Sequence, residues 1–408
     1  MGRNGSNDWQ TAQLGDVIEL FDYQRVPLNS RERQERQGEY PYYGAQGVID
    51  HIDGYIFDGR YILVAEDGEN LNSKKLPLAL FATGKFWVNN HAHILRGKPG
   101  VADDTFLLAC LNNADIKPFV TGAAQPKLSQ ANMRQIEIPL PPLPVQRRIA
   151  GILSAYDELM ENSQRRIRLL EAMARALYRE WFVHFRSPGS DKLPSPRGRR
   201  AGDEGSQNEK LPRVASPLGD IPQGWEVKKL KDACHLTMGQ SPKSEFYNET
   251  GEGQPFHQGV TNFGERFPTD RLFCTVEGRV AEAGDILFSV RAPVGRMNIA
   301  DKKIIIGRGL SAIRHRDGHQ AFLWEQLRNR FTEDDMMGNG AIFAAVTKDD
   351  MQGIELICPP APLVVAATKH FEPIHTELDA LTKQIANLRR TRDLLLPRLL
   401  SGQVPIAA

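Results

Sequence analysis

Two passages decide how this chain is read: "MRQIEIPLPPLPVQRRIAGIL" at residues 133–153 and "MQGIELICPPAPLVVAATKHF" at residues 351–371. Met133 and Met351, Ile136 and Ile354, Glu137 and Glu355, and Pro141, Pro142 and Pro144 with Pro359, Pro360 and Pro362 all stand 218 positions apart. The correspondence extends outward from them. "VNNHAHILR" at 88–96 precedes "IGRGLSAIR" at 306–314 by the same 218 positions, with few identities but one apolar rhythm. "WQTAQLGDVIEL" at 9–20 answers "WEVKKLKDACHL" at 225–236 with an offset of 216, and "YILVAEDG" at 61–68 answers "DILFSVRA" at 285–292 with an offset of 224. Loops that differ on scaffolds that agree produce this drift. The chain is a tandem duplication, in too few copies and too long a unit for a solenoid or a propeller.

A length of 408 residues also exceeds what one hydrophobic core usually organises. With 41% hydrophobic and 25% charged residues, and no apolar run near the roughly 18–20 residues of a membrane span, a globular cytoplasmic protein without membrane contact is expected. The start, "MGRNGSNDWQ", has no secretory h-region. Cys110, Cys234, Cys274 and Cys358 form no CxxC pair and read as buried free thiols. A net charge of +1 says nothing about a polyanionic partner, because local clustering of Lys and Arg decides that.

Within each copy the texture changes once. Short β-rich runs such as "YIFDGRYILVAEDG", "KFWVNNHAHIL" and "KKIIIGRGLSAI", punctuated by Gly turns, predict a mixed α+β head with much strand. After the prolines the pattern turns helical. Steps of four and three from Ile149 give Leu153, Tyr156, Met160, Ser163, Ile167, Leu170, Ala174, Leu177 and Trp181, all apolar but Ser163. Adding 218 gives Ala367, Phe371, Ile374, Leu378, Leu381, Ile385, Leu388, Arg392, Leu395 and Leu399, with only Arg392 charged. Such a stripe is a coiled-coil seam in which the two helices partner each other; the alternative is a helix lying on its own head. The expected divisions are a first head at 1–141, a first helix at 142–186, a linker at 187–217, a second head at 218–359, a second helix at 360–402 and a tail at 403–408. The linker lacks aromatic residues, and its RGRR cluster at 197–200 reads as solvated charge. Its length does not decide whether the helices run parallel or antiparallel.

No G-x-G-x-x-G, P-loop or Asn-Pro-Pro-Phe-type sequence is present, so the chain carries no recognisable cofactor or methyl-transfer motif. His91 with His93, and His315 with His319, lack Cys or carboxylate company at metal-site spacing and read as structural; no metal site is expected. "AEDGEN" at 65–70 reads as a turn, not an acidic cluster.

"GEYPYYGAQGVIDHIDGYIFDGRYILVAEDGENL", "EIPLPPLPVQRRIAGIL", "LYREWFVHF", "GDILFSVRAPVG" and "LRRTRDLLLPRLLSG" together resemble the specificity subunit of type I DNA restriction-modification systems, over about residues 9–402. The resemblance implies two α+β target-recognition heads, each followed by a long helix, with the helices paired as an antiparallel coiled coil in a pseudo-twofold repeat. It implies that each head reads half of a bipartite site in double-stranded DNA. The helices would space the heads and dock two methyltransferase subunits. On this reading the chain is no enzyme: S-adenosylmethionine, ATP and Mg belong to partner subunits that methylate adenine N6 or, as restriction subunits, translocate and cut DNA. One departure is the polar pair common after the family's prolines, which is Val145-Gln146 in the first copy and absent from "LVVAA" in the second.

The expected DNA contacts in the first head are Tyr42, Tyr43, Gln46, Lys74, Lys75, Asn89, Asn90, Gln125 and Lys127. In the second they are Gln240, Ser241, Lys243, Gln258, Arg291, Arg296, Arg308 and Lys348. Amides pair bidentately with adenine and guanidinium with guanine, while Lys and hydroxyls mostly hold phosphate. Two other functions compete: a methyltransferase or nuclease with an unrecognised site, which would act alone, and a coiled-coil adaptor whose heads bind protein, which would lack salt-dependent DNA binding.

Overall fold

Each proline passage begins as a short strand that closes the head it follows. In the computed structural model, which describes residues 9–122, 125–188, 212–331 and 346–406, strand β1 (Gln10–Gln13) pairs antiparallel with β8 (Glu137–Leu140), Gln10 opposite Leu140. In the second copy β11 (Glu226–Lys229) pairs with β21 (Glu355–Cys358), Glu226 opposite Cys358. Those partners are the first pair shifted by the offsets 216 and 218 seen in the sequence.

Residues 1–161 and 386–408 form one compact unit and residues 162–385 the other. In the first, a sheet runs β2 (Ile18–Leu20), β7 (Ala92–Gly97), β5 (Phe57–Ala65), β6 (Ala79–Val88), β3 (Gln37–Gly44), β4 (Gly47–Ile52). The helix Asp104–Asn113 covers it, burying Phe106, Leu107 and Leu111. In the second unit β12 (Cys234–Met238), β20 (Leu310–His315), β17 (Ile286–Ser289) and β18 (Met297–Ile299) form the matching sheet. The register repeats residue for residue: Ile62 faces Leu95 as Ile286 faces Ile313, and Leu20 faces Leu95 as Leu236 faces Ile313. Even the parallel pairing of Tyr42 with Trp87 recurs as Phe256 with Ile305. A one-residue slip would turn every apolar side chain outward, so buried faces hold this register. The copies diverge where β13 (Tyr247–Asn248), β15 (Phe273–Cys274), β14 (Gln254–His257), β19 (Ile304–Ile306) and β16 (Val280–Ala281) form a separate sheet.

The two long helices are Leu143–Tyr178 and Ala361–Leu400, each with Pro at its second position, where a missing N–H costs nothing. Every stripe position from Ile149 to Trp181 and from Ala367 to Leu399 is buried or half-buried. In the first unit Asp157 meets Arg392 at 2.6 Å, while Leu153 shares a cluster with Leu395 and Leu399. In the second unit Arg166 pairs with Glu377, and Trp181 meets His370 edge-on at 5.5 Å. Numbers rise on one helix as they fall on the other in each unit, so the pairing is antiparallel. The helix-on-head alternative holds for the helix starts: Ile149 and Leu153 also pack with Leu107 and Leu111, and Ala367 and Phe371 with Phe322.

The proline passages then dock by different chemistry. Gln146 is fully buried; its Oε1 accepts from the Asp103 N–H at 2.9 Å and its Nε2 donates to the Val101 and Pro141 carbonyls. In the second copy Val364 packs apolar at the equivalent position, and Thr368 bonds His319 at 3.0 Å instead.

Of the expected linker, residues 189–211, RGRR included, lie outside the described residues, and β9 (Arg213–Val214) pairs with β10 (Ile221–Pro222). Cys110, Cys234 and Cys274 are buried free thiols, and Cys358 is partly buried. Among the described residues no helix is long and apolar enough to cross a membrane.

Candidate nucleic-acid interface

One edge of each head is built by the same set of turns. In the first head the β6–β7 turn is held to β3 by the Asn89 N–H donating to the Tyr43 carbonyl at 3.0 Å. The Glu66 N–H donates to the His91 carbonyl at 2.9 Å, and the Leu128 N–H to the Glu66 carbonyl at 2.8 Å. In the second head Gly307 donates to His257 at 2.9 Å, Val290 to Gly309 at 2.9 Å, and Val346 to Val290 at 2.8 Å. These are the same three bonds, displaced by 218 or 224 positions, and by 214 from Tyr43 to His257. On the second edge a Cβ on Gly239 would lie 2.1 Å from the Gly307 carbonyl oxygen, so only glycine fits there.

Side chains on this shared backbone differ. Behind the first edge, His93 is buried between Asp22 at 2.6 Å and the Leu128 carbonyl at 2.8 Å, with Glu66 at 3.7 Å. Burial disfavours its imidazolium, but the bonds to Asp22 and Leu128 and the two carboxylate charges outweigh this and raise its pKa above 6.5. Glu66 also binds Arg25 at 2.8 Å and Lys127 at 3.2 Å; burial would raise its pKa, yet these cations and His93 hold it below 4.5. Asp67 takes His91 at 2.6 Å. At the positions of Glu66 and Asp67 the second head has Val290 and Arg291. Its buried histidine, His257, bonds Asp270 at 3.0 Å, but burial dominates and lowers its pKa below 6.5.

The first edge brings together Tyr43, Gln46, Asn89, Asn90, Gln125 and Lys127; the second gathers Gln240, Ser241, Lys243, Gln258, Arg291, Arg308 and Lys348, with Arg296 at the base of the 290–296 loop, where its N–H donates to Ser289. Four expectations are corrected. Tyr42 is fully buried with its hydroxyl on the Leu28 backbone, because neighbours on a strand face opposite ways and Tyr42 took the inward one. Asn89 is buried and accepts from the His91 N–H at 2.8 Å, pinning the turn without facing solvent. Lys74 and Lys75 lie away from the edge, in a cleft of about 560 Å³ with Leu153, Asp157 and Arg392, and Lys74 donates to the Ala114 carbonyl at 3.0 Å. The network of Asp22, Arg25 and Glu66 is not legible in the sequence, because Glu66 joins it from 41 residues beyond Arg25.

The histidine pairs serve hydrogen bonds, as in His91–Asp67 and His319–Thr368, and among the described residues no group of three His, Cys, Asp or Glu could hold a metal. Between the end of β5 at Ala65 and the short helix Asn70–Ser73 the chain turns: Asp67 bridges Lys127 and Gly68 has φ +105°.

The family described as "Type I restriction modification DNA specificity domain" matches residues 6–172 and again 222–388. A Methanocaldococcus jannaschii protein provisionally named the type I restriction enzyme MjaX specificity subunit is 28% identical over 425 residues, 98% of this chain and 94% of that protein. The type I restriction enzyme HindI specificity subunit of Haemophilus influenzae is 23% identical over 98% of this chain and 100% of its own length. The crystal structure of a type I restriction-modification system S subunit from M. genitalium superposes with a TM-score of 0.65 at 16% identity, covering 100% of this chain and 99% of that one, and so shares the fold. Duplicated register, duplicated edge and duplicated match agree, and the chain belongs to the type I restriction-modification DNA specificity family, whose domain it carries twice.

Proposed function

We propose that this chain selects the DNA sequence for a type I restriction-modification complex, its first head reading one half of a bipartite, asymmetric site and its second head the other. The observation that carries this is the pair of edges: three equivalent backbone bonds hold each, while the exposed side chains they present differ. Equivalent geometry with different donors suits two half-sites of different sequence.

The antiparallel helices support a second role, as the spacer between the heads and the seat of two methyltransferase subunits. Those partners would carry S-adenosylmethionine and methylate adenine N6, and restriction subunits would bring ATP-dependent translocation and Mg-dependent cleavage. This chain's own residues supply position and sequence choice; the work would be done in the cytoplasm, on double-stranded DNA. The test is a map of methylated adenines in the host genome with and without the gene. Loss of one bipartite motif is expected, and a methylation pattern that does not change would contradict the proposal.

A further inference from the structure

The tip of the β6–β7 turn and its counterpart after β19 place one side chain each at the middle of an otherwise pinned turn: Asn90 in the first head and Arg308 in the second, 218 positions apart. Both are exposed. Asn90 sits between Asn89, bonded to Tyr43, and His91, bonded to Glu66 and Asp67. Arg308 sits between Gly307, bonded to His257, and Gly309, which both accepts from Val290 and donates to Gln258; its own N–H reaches the Ser241 hydroxyl at 3.2 Å. Fixed turns that leave one side chain free of the backbone scaffold are the geometry a base reader needs.

The electrostatics of the two edges differ in the same sense. The cations of the first edge are occupied, Arg25 by Asp22 and Glu66 and Lys127 by Glu66, so its exposed donors are amides: Gln46, Asn90 and Gln125. On the second edge Arg308 and Arg291 have no carboxylate partner among the described residues. An unpaired guanidinium offers the two parallel donors that match O6 and N7 of guanine, and an amide offers the donor and acceptor that match N7 and N6 of adenine.

We infer that residues 90 and 308 are equivalent base-reading positions, with Asn90 selecting adenine in the first half-site and Arg308 selecting guanine in the second. The inference rests on the DNA-selection reading above and adds the bases to it. The complete complex, purified from its host through a tag on this chain, is offered a randomised duplex library, and bound sequences are recovered for the wild type and for Asn90→Ala, Arg308→Ala and Arg308→Lys. A bidentate contact sets a discrimination of roughly 10- to 100-fold. Arg308→Ala is expected to erase a guanine preference of that size at one position of one half-site. Asn90→Ala is expected to erase an adenine preference in the other. Arg308→Lys keeps the charge and the salt dependence but should lose the guanine preference, which separates base reading from phosphate holding. A uniform loss across all sequences, a sensitive position of the other base type, or an unchanged motif overturns the inference while leaving the two-half-site function standing. A wild-type complex that enriches no motif overturns both.

Discussion

Gln146→Ala is the sharpest probe of how a proline passage joins helix to head. The side chain is fully buried and spends both ends: its oxygen on the Asp103 N–H, its nitrogen on the carbonyls of Val101 and Pro141 at 3.0 and 2.8 Å. Truncation orphans one buried donor, at a cost of about 1–3 kcal/mol, and removes two further bonds whose net contribution is about 0.5–1.5 kcal/mol each. Allowing for partial relaxation, a loss of about 2–4 kcal/mol is expected. In a unit of this size that lowers the melting temperature by roughly 5–12 °C. Calorimetry on the full chain, with hydrogen exchange at residues 101–112 to assign the transition, reads it. Gln146→Leu, which keeps most of the volume, should retain most of the loss, because the damage is polar. A shift within about 1 °C for Gln146→Ala would refute this docking, and with it the reason the first copy keeps a polar residue where the second has Val364.

Other expectations use the same structure. Raised His93 stabilises the first head fully below its unfolded pKa near 6.5 and loses that contribution as pH climbs through the higher folded value, whereas His257 and His315, lowered chiefly by burial, stabilise the second head above 6.5 and lose their contribution as pH falls below it. Amide exchange between pH 7.5 and 6.0 should therefore slow in the first head, relative to intrinsic rates, and quicken in the second; matching trends would contradict the assignment. Phe371→Ala should cost about 3–5 kcal/mol in denaturant melts. Arg392→Ala should cost under about 1 kcal/mol, because its Asp157 partner is largely exposed. Arg166 opposite Glu377 puts Ser163 and Leu381 at matching depth in the seam, so one heptad added after each should lengthen the paired helices by about 10 Å. Methylation mapping should then show unchanged half-sites and a spacer longer by roughly 1–3 base pairs at about 3.4 Å each; a constant spacer with methylation intact would show that the helices do not set it.

Much of the fold is legible in the sequence because the duplication preserves register. Offsets of 216, 218 and 224 are the same shifts that relate the ladder partners of the two sheets, and the heptad positions fall on the buried faces of both helices. The site is less legible. Tyr42 and Tyr43 are adjacent in a strand and take opposite faces, and the fold covers both, Tyr42 fully among Ile52 and Trp87 and Tyr43 in part against Phe86. Lys74 and Lys75 read as phosphate contacts until the fold puts them beside Asp157 and Arg392. Arg25 has Asp22 three residues away, but its shorter contact is with Glu66, 41 residues distant, and local sequence holds no sign of that one. The two-sheet form of the second head escapes the reading because strands as short as Val280–Ala281 and Phe273–Cys274 carry too little periodicity to be seen.

That two similar heads choose their DNA independently is the central claim. Its most direct measurement is the methylated-adenine map of a host in which residues 16–138 have been replaced by the corresponding head of another family member. One half of the bipartite motif should change, and the other half should keep its bases. A motif altered in both halves, or in neither while methylation persists, would contradict it.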